Sequence, residues 1–136
     1  MLPYHQHKSF KVNSQNAITS AIKLHETFPV IVVSEGLSED SIVEKYCQKY
    51  GSRIHHLAYE VTNIEKVVTI LKERGVIFTT DEIIGSEEEG IKQIFTKPLD
   101  ISNHIIEYVQ RFGDFDGFFT PSNIGDLMMS TEDLSH

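Results

Sequence analysis

The side chains best suited to metal or proton chemistry fall in two short strings, Ile54-His-His-Leu-Ala-Tyr-Glu-Val61 and Asn103-His-Ile-Ile-Glu-Tyr-Val-Gln110. In an extended chain successive side chains face opposite sides. His56 then lies with Ala58, while His55 shares the other face with Leu57 and Tyr59, so the adjacent histidines are not a two-ligand motif. Likewise Glu107 aligns with Ile105 and Val109, and His104 with Ile106 and Tyr108. A carboxylate inside an apolar stripe is costly unless it meets a cation, an arginine or a metal. Gln93 and Phe95 share one face of a third string, placing an amide beside an aromatic plate, and Gly117-Phe-Phe119 offers a second plate. One histidine, one carboxylate, an amide and aromatic walls suit a metal-dependent site for an aromatic or oxo-acid ligand. The plainer reading is a satisfied His–Glu polar pair.

The remaining candidates have duller assignments. Of the seven histidines, His5, His7 and His136 lie near the termini and His25 beside a strand connection. Cys47 falls on the apolar stripe Ile42, Val43, Tyr46, Cys47 and Tyr50, the spacing of one helix face, which reads as a buried, inert thiol. The run Ser86-Glu-Glu-Glu-Gly90 lacks the alternating oxygen ligands of a calcium loop and reads as a solvated hairpin tip.

The elements that must position these residues belong to a chain of 136 residues, 40% hydrophobic and 24% charged, which describes one globular domain. Twelve Lys and Arg stand against twenty Asp and Glu, a net charge of -8 without a basic cluster, so nucleic acid is excluded as a partner. A single cysteine forms no disulfide within the chain and fits the cytoplasm. No apolar run approaches the roughly 20 residues of a membrane span, and the N-terminus does not resemble a leader. His7 to Val12 alternates like a strand and Phe28 to Val33 reads as a buried one, whereas Asn16 to Leu24 suits either a helix or a strand. Ser38 to Asp40 can cap a helix running to about Tyr50. Beyond Gly51 the order is strand (54–61), helix, and three strands. The helix opens on the capping box Thr62-Asn-Ile-Glu65, turns Ile64, Val67, Val68 and Leu71 inward and stops at Gly75. The strands are expected at 76–80, 91–97 and 103–110, with the helix on one sheet face and a concave face left to hold a ligand.

Several strings go further than their spacing. Ile54-His-His-Leu-Ala, Leu71-Lys-Glu-Arg-Gly-Val76, Gln93-Ile-Phe-Thr-Lys-Pro98, Ile106-Glu-Tyr-Val-Gln-Arg111 and the Gly117-Phe tail with Asn123 resemble, in order and approximate spacing, the C-terminal half of the 4-hydroxyphenylpyruvate dioxygenases. Those enzymes belong to the vicinal oxygen chelate group, with glyoxalase I and the extradiol dioxygenases. The resemblance implies an α+β fold of paired βαβββ modules forming an open mixed-sheet barrel around Fe(II). Here it implies one domain over 1–136: a partial first module of about three strands (1–37), a linking helix (38–52), a complete module (53–111) and a C-terminal tail (112–136). The family binds iron through two histidines and a glutamate, and His56 and Glu107 match one of each. Gln93 and Phe95 match pocket residues for the keto acid and its ring, Phe118 or Phe119 the aromatic that closes the pocket, and Ser20 a pocket serine, which favours a strand there. Asn123 belongs to the same substrate-facing tail.

The departures shape the expected function. Ser34 stands in place of a pocket asparagine, Ile42 near a glutamine, and His55 in place of a glutamine beside the ligand. The family's other iron histidine has no counterpart, the chain reading as though it begins after that strand and helix. His5 or His7 substitutes only if the N-terminal segment is a β-α unit, with His7 on its first strand, rather than a solvated stretch. The resemblance implies an Fe(II)-dependent, or other divalent-metal, dioxygenase for an aromatic or 2-oxo acid. The alternatives are a non-catalytic small-ligand module or half of a split enzyme, and a glyoxalase-type lyase or isomerase. An exposed sheet edge implies a homodimer or a partner chain completing the barrel.

Overall fold

Burial alternates along residues 17–23, with Ala17, Thr19 and Ala21 inside, which is the signature of a strand rather than of a helix. The computed structural model describes residues 5–12, 16–23, 25–118 and 120, which fall in two compact units divided between Arg53 and Ile54. In the first unit β1 (His5–Val12), β2 (Ala17–Lys23) and β3 (Ile31–Gly36) form an antiparallel sheet in that order. The backbone from His5 is therefore paired strand rather than a β-α unit, since the next element is again a strand. The β1–β2 turn passes through Asn16 in the left-handed region (φ 46), where its side chain donates to Ser38 Oγ at 2.6 Å.

β3 departs from the buried strand expected at 28–33. It begins at Ile31, and Ile31, Val32 and Val33 are 41%, 43% and 51% exposed; among the described residues β3 is the edge of its sheet and pairs only with β2. The helix that follows, α1 (Ile42–Tyr50), ends at Gly51, whose φ of 76 suits a residue without a Cβ. Its N-cap is Ser41, whose side chain makes no cap bond, and the helix has no fully buried residue. Cys47 is accordingly half-buried, not the enclosed thiol its stripe suggested.

The second unit contains β4 (His56–Glu60), α2 (Ile64–Glu73), β5 (Ile84–Ser86), β6 (Ile91–Phe95) and β7 (Ile105–Arg111). The sheet order is β4-β7-β6-β5, with β4 parallel to β7 and the other pairs antiparallel, which is the βαβββ module expected. Ile64 and Val68 of α2 pack with Phe78 and Ile94, and Leu71, Val76 and Tyr108 surround them. At the start of α2 the cap is Asn63 rather than Thr62: its Oδ1 accepts the Lys66 amide at 2.9 Å, while Gln110 of β7 accepts the Ile64 amide at 2.8 Å. Two of the helix's orphan donors are thereby satisfied, one of them from the sheet. Gly75 closes the helix with φ 86.

The strand expected at 76–80 is reduced to one bridge, Phe78 to Thr96. The chain then leaves the ladder and pairs again from Ile84 opposite Gln93. Phe78 is buried in the cluster beneath α2, so core packing holds this segment at one point while Thr80 turns back onto the Glu82 carbonyl. The acidic run between β5 and β6 is the turn expected, with Gly90 at φ 85 against the Phe115 ring, where a Cβ would lie 3.0 Å from ring and side-chain carbons.

Candidate functional site

Residues directly opposite each other in a ladder project to the same face. The register pairs His56 with Ile105, Ala58 with Glu107, Phe95 with Glu107, Gln93 with Val109, and Ile91 with Arg111. His56, Glu107, Gln93, Phe95 and Arg111 therefore share the sheet face opposite α2. Glu107, Gln93 and Phe95 are buried, and His56 is partly open.

Glu107 is the centre of the cluster. Its Oε2 lies 3.2 Å from His56 Nε2, and its Oε1 accepts from Gln93 Nε2 at 2.6 Å. The same Gln93 nitrogen donates to the Phe118 carbonyl at 2.6 Å. Both partners are pure acceptors, so the orientation of the amide is settled by them. The Phe95 ring meets the His56 imidazole edge to face, with centroids 5.4 Å apart and planes at 84°. His56 is thus bounded by a carboxylate at Nε2, an aromatic wall, and His55, whose Nδ1 lies 3.0 Å from His56 Nδ1.

Four of the residues singled out by sequence, His56, Glu107, Gln93 and Phe95, come together. Phe118 joins through its backbone carbonyl, and its ring lies 5.8 Å from the Arg111 guanidinium. Ser20 lies in the first unit, half-buried, on the β2 face opposite Ala17, Thr19 and Ala21. Ser34 shares a hydrogen bond of 2.8 Å with Thr19 across β2 and β3. Phe119 and Asn123 lie outside the described residues. His55 is a correction: alternation turns it away from His56, yet it precedes the first residue of β4, where the ladder no longer dictates direction, and its ring swings back.

Arg111 ends one of the family-like strings but has no role among the candidates the sequence offers. Its Nε donates to the Gly117 carbonyl at 2.8 Å, one terminal nitrogen pairs with Glu60 at 3.3 Å, and its cation faces the Phe118 ring. With Gln93 it ties Gly117 and Phe118 to the site face. Two-residue periodicity from Glu107 through Val109 would have found it.

Imidazole nitrogen and carboxylate oxygen are donors suited to divalent cations of intermediate hardness. His56 Nε2 and Glu107 Oε2 converge closely enough to serve as two ligands of one ion, so the donors fit such a cation as a pair. Among the described residues no group of three or more His, Cys, Asp or Glu could hold one.

With this geometry in place, comparison with known families is decisive at one level. The model of the Glyoxalase/Bleomycin resistance protein/Dioxygenase superfamily matches residues 1–95. The chain belongs to this superfamily. Its fold is the small α+β vicinal oxygen chelate fold. The match ends at Phe95, so the place of Glu107 rests on the register of β7. Among solved structures, a hypothetical protein of Bacillus halodurans C-125 is 26% identical with a TM-score of 0.67, covering 84% of this chain and 80% of that one. A methylmalonyl-CoA epimerase is 25% identical with a TM-score of 0.66, covering 81% and 79%. The Streptomyces coelicolor methylmalonyl-CoA epimerase bound to 2-nitronate-propionyl-CoA is 23% identical with a TM-score of 0.63, covering 81% of each chain, a likeness of fold alone. No curated protein sequence matches significantly. The dioxygenase resemblance thus resolves to membership of the superfamily, while the named enzymes among these structures are epimerases.

Proposed function

We propose that the protein binds a divalent cation through His56 Nε2 and Glu107 on the sheet face opposite α2. There it receives a small oxygen-bearing acid or acyl compound for lyase- or isomerase-type proton chemistry. The observation that carries this reading is the convergence of an imidazole and a buried carboxylate, 3.2 Å apart, on the sheet face opposite α2. Superfamily membership and the 25% identical epimerase support it. A bound cation would supply Lewis-acid polarisation of a ligand oxygen. The chain's own residues do the rest: Gln93 fixes one oxygen of Glu107, Phe95 limits the tilt of His56, and Arg111 and Gln93 hold the segment at Gly117–Phe118. Titration with Co(II), read in the visible spectrum, tests the site: the wild type binds one equivalent and His56→Ala loses that binding. Uptake unchanged in His56→Ala refutes it.

A second reading, an Fe(II)-dependent dioxygenase acting on an aromatic 2-oxo acid, is favoured by the Gln93-Ile-Phe-Thr-Lys-Pro98 and Ile106-Glu-Tyr-Val-Gln-Arg111 strings and by the Phe95 ring at the site. Oxygen consumption with 4-hydroxyphenylpyruvate and Fe(II) separates the two readings, since only the dioxygenase takes up oxygen. A cytoplasmic homodimer working as a single domain fits the acidic chain, its lone cysteine and the exposed apolar side chains on β3. No described helix is long and apolar enough to cross a membrane.

A further inference from the structure

We infer that His55 is a positioning residue for His56, holding the imidazole from behind so that Nε2 is the nitrogen presented at the site. The inference rests on the reading of His56 as a cation ligand. Three distances carry it. The two Nδ1 atoms are 3.0 Å apart, the two rings stand nearly perpendicular at 88°, and His56 Nε2 lies 3.2 Å from Glu107 Oε2. Two ring nitrogens at hydrogen-bond distance require a single proton between them, so one imidazole donates and the other accepts. His56 is thereby tied at both nitrogens, to His55 on one side and to Glu107 on the other, with the Phe95 ring perpendicular to it.

The backbone places His55 for this task. Its carbonyl accepts the Ile105 amide at 3.3 Å, which anchors the residue beside the first pair of the β4–β7 ladder, yet the residue lies outside β4 and its side chain is released from strict alternation. The Nδ1 atom of His55 lies against His56 Nδ1, the ring nitrogen turned from Glu107, which is the place from which a partner orients the ligand. An imidazole suits that role because it can serve as donor or acceptor at Nδ1. With Nε2 of His56 donating to Glu107, His55 donates to the vacant Nδ1; with Nε2 given to a cation, the proton sits on His56 Nδ1 and His55 accepts it. Outer partners of this kind fix ring orientation and typically govern metal affinity by about 10–100-fold.

The experiment compares His55→Leu, which removes the partner, with His55→Asn, whose amide can donate or accept near the place of Nδ1. Co(II) titration is expected to show affinity about tenfold weaker in His55→Leu, the low end because His56 is partly open to water, and within about threefold of wild type in His55→Asn. Long-range nitrogen–proton spectra of the cation-free imidazoles read the same property without metal: with Nε2 of His56 donating to Glu107 throughout, the His56 Nδ1 resonance moves in His55→Leu, which removes its partner, and stays near its wild-type position in His55→Asn. An unchanged His56 ring spectrum in His55→Leu overturns the inference, as does Co(II) affinity equal to wild type in that variant. If the wild type takes up no Co(II), the cation reading fails instead, and the ring spectra alone decide whether His55 positions His56.

Discussion

Replacing Gln93 by leucine keeps the volume of a buried side chain and removes its amide, which makes it a direct probe of how Glu107 is held. Gln93 is 3% exposed and Glu107 5%, so water does not replace the lost donor. The bond to Glu107 Oε1, at 2.6 Å, is to a carboxylate and is worth roughly 1.5–3 kcal/mol. The bond to the Phe118 carbonyl, also 2.6 Å, joins neutral groups and is worth roughly 0.5–1.5 kcal/mol. Gln93→Leu should therefore destabilise the protein by roughly 2–4.5 kcal/mol, read by urea unfolding followed by far-UV circular dichroism. A chelator is present throughout so that a bound cation adds nothing to stability. In a Glu107→Leu background the first bond no longer exists, and the same substitution should cost only about 1 kcal/mol, a coupling of roughly 1.5–3 kcal/mol between the two sites. Additivity within about 0.5 kcal/mol would refute the reasoning, because independent residues add to that precision.

Two further outcomes follow from the same unit. Ile94 is fully buried between α2 and Phe78, and Ile94→Ala should cost about 2–5 kcal/mol in the same urea assay, whereas a loss below about 1 kcal/mol would mean the cluster is not the core of the module. Burial pushes the Tyr108 hydroxyl above its ordinary value of 10.0, with Tyr59 adding to the shift. A raised acid leaves stability intact below the unfolded value and removes it as pH climbs through the folded one, so the wild type should lose stability from about pH 10 upward. Tyr108→Phe should flatten that alkaline limb in thermal melts; an unchanged limb assigns it to another group.

Most of the second unit was legible because its signals are local. Apolar residues at helical spacing, Gly75 after Lys72-Glu-Arg74, and strict alternation in residues 105–111 each report one element, and each element formed. The structure departs from the sequence pattern where tertiary position overrides it. The apolar run Ile31-Val-Val33 looks buried by composition, but an edge strand has one neighbour and its side chains stay half in solvent. Residues 76–80 have the composition of a strand, yet Phe78 is drawn into the core and one bridge remains. Asn63 outcompetes Thr62 as the cap because Gln110, on a strand far along the chain, takes the next amide, a partner no local motif contains.

The site separates into contacts that periodicity can find and contacts that it cannot. Glu107 and its neighbours project to one face because a strand repeats every two residues, and the register of β6 and β7 then sets Gln93 and Phe95 opposite them. Arg111 obeys the same rule and was in principle readable. His55 does not, since alternation ceases one residue before β4 and its ring is free to turn toward His56. Phe118 is harder still: Gln93 binds its carbonyl oxygen, an atom every residue has, so nothing in the identity of residue 118 announces that contact. The backbone carbonyls of Gly117 and Phe118 are thus held by side chains, Arg111 and Gln93, whose positions were set by a strand register. Since Gln93 reaches Glu107 and the Phe118 carbonyl with the same nitrogen, the positions of that carbonyl and of the carboxylate are linked, and that dependence is a property of the folded sheet rather than of any string within it.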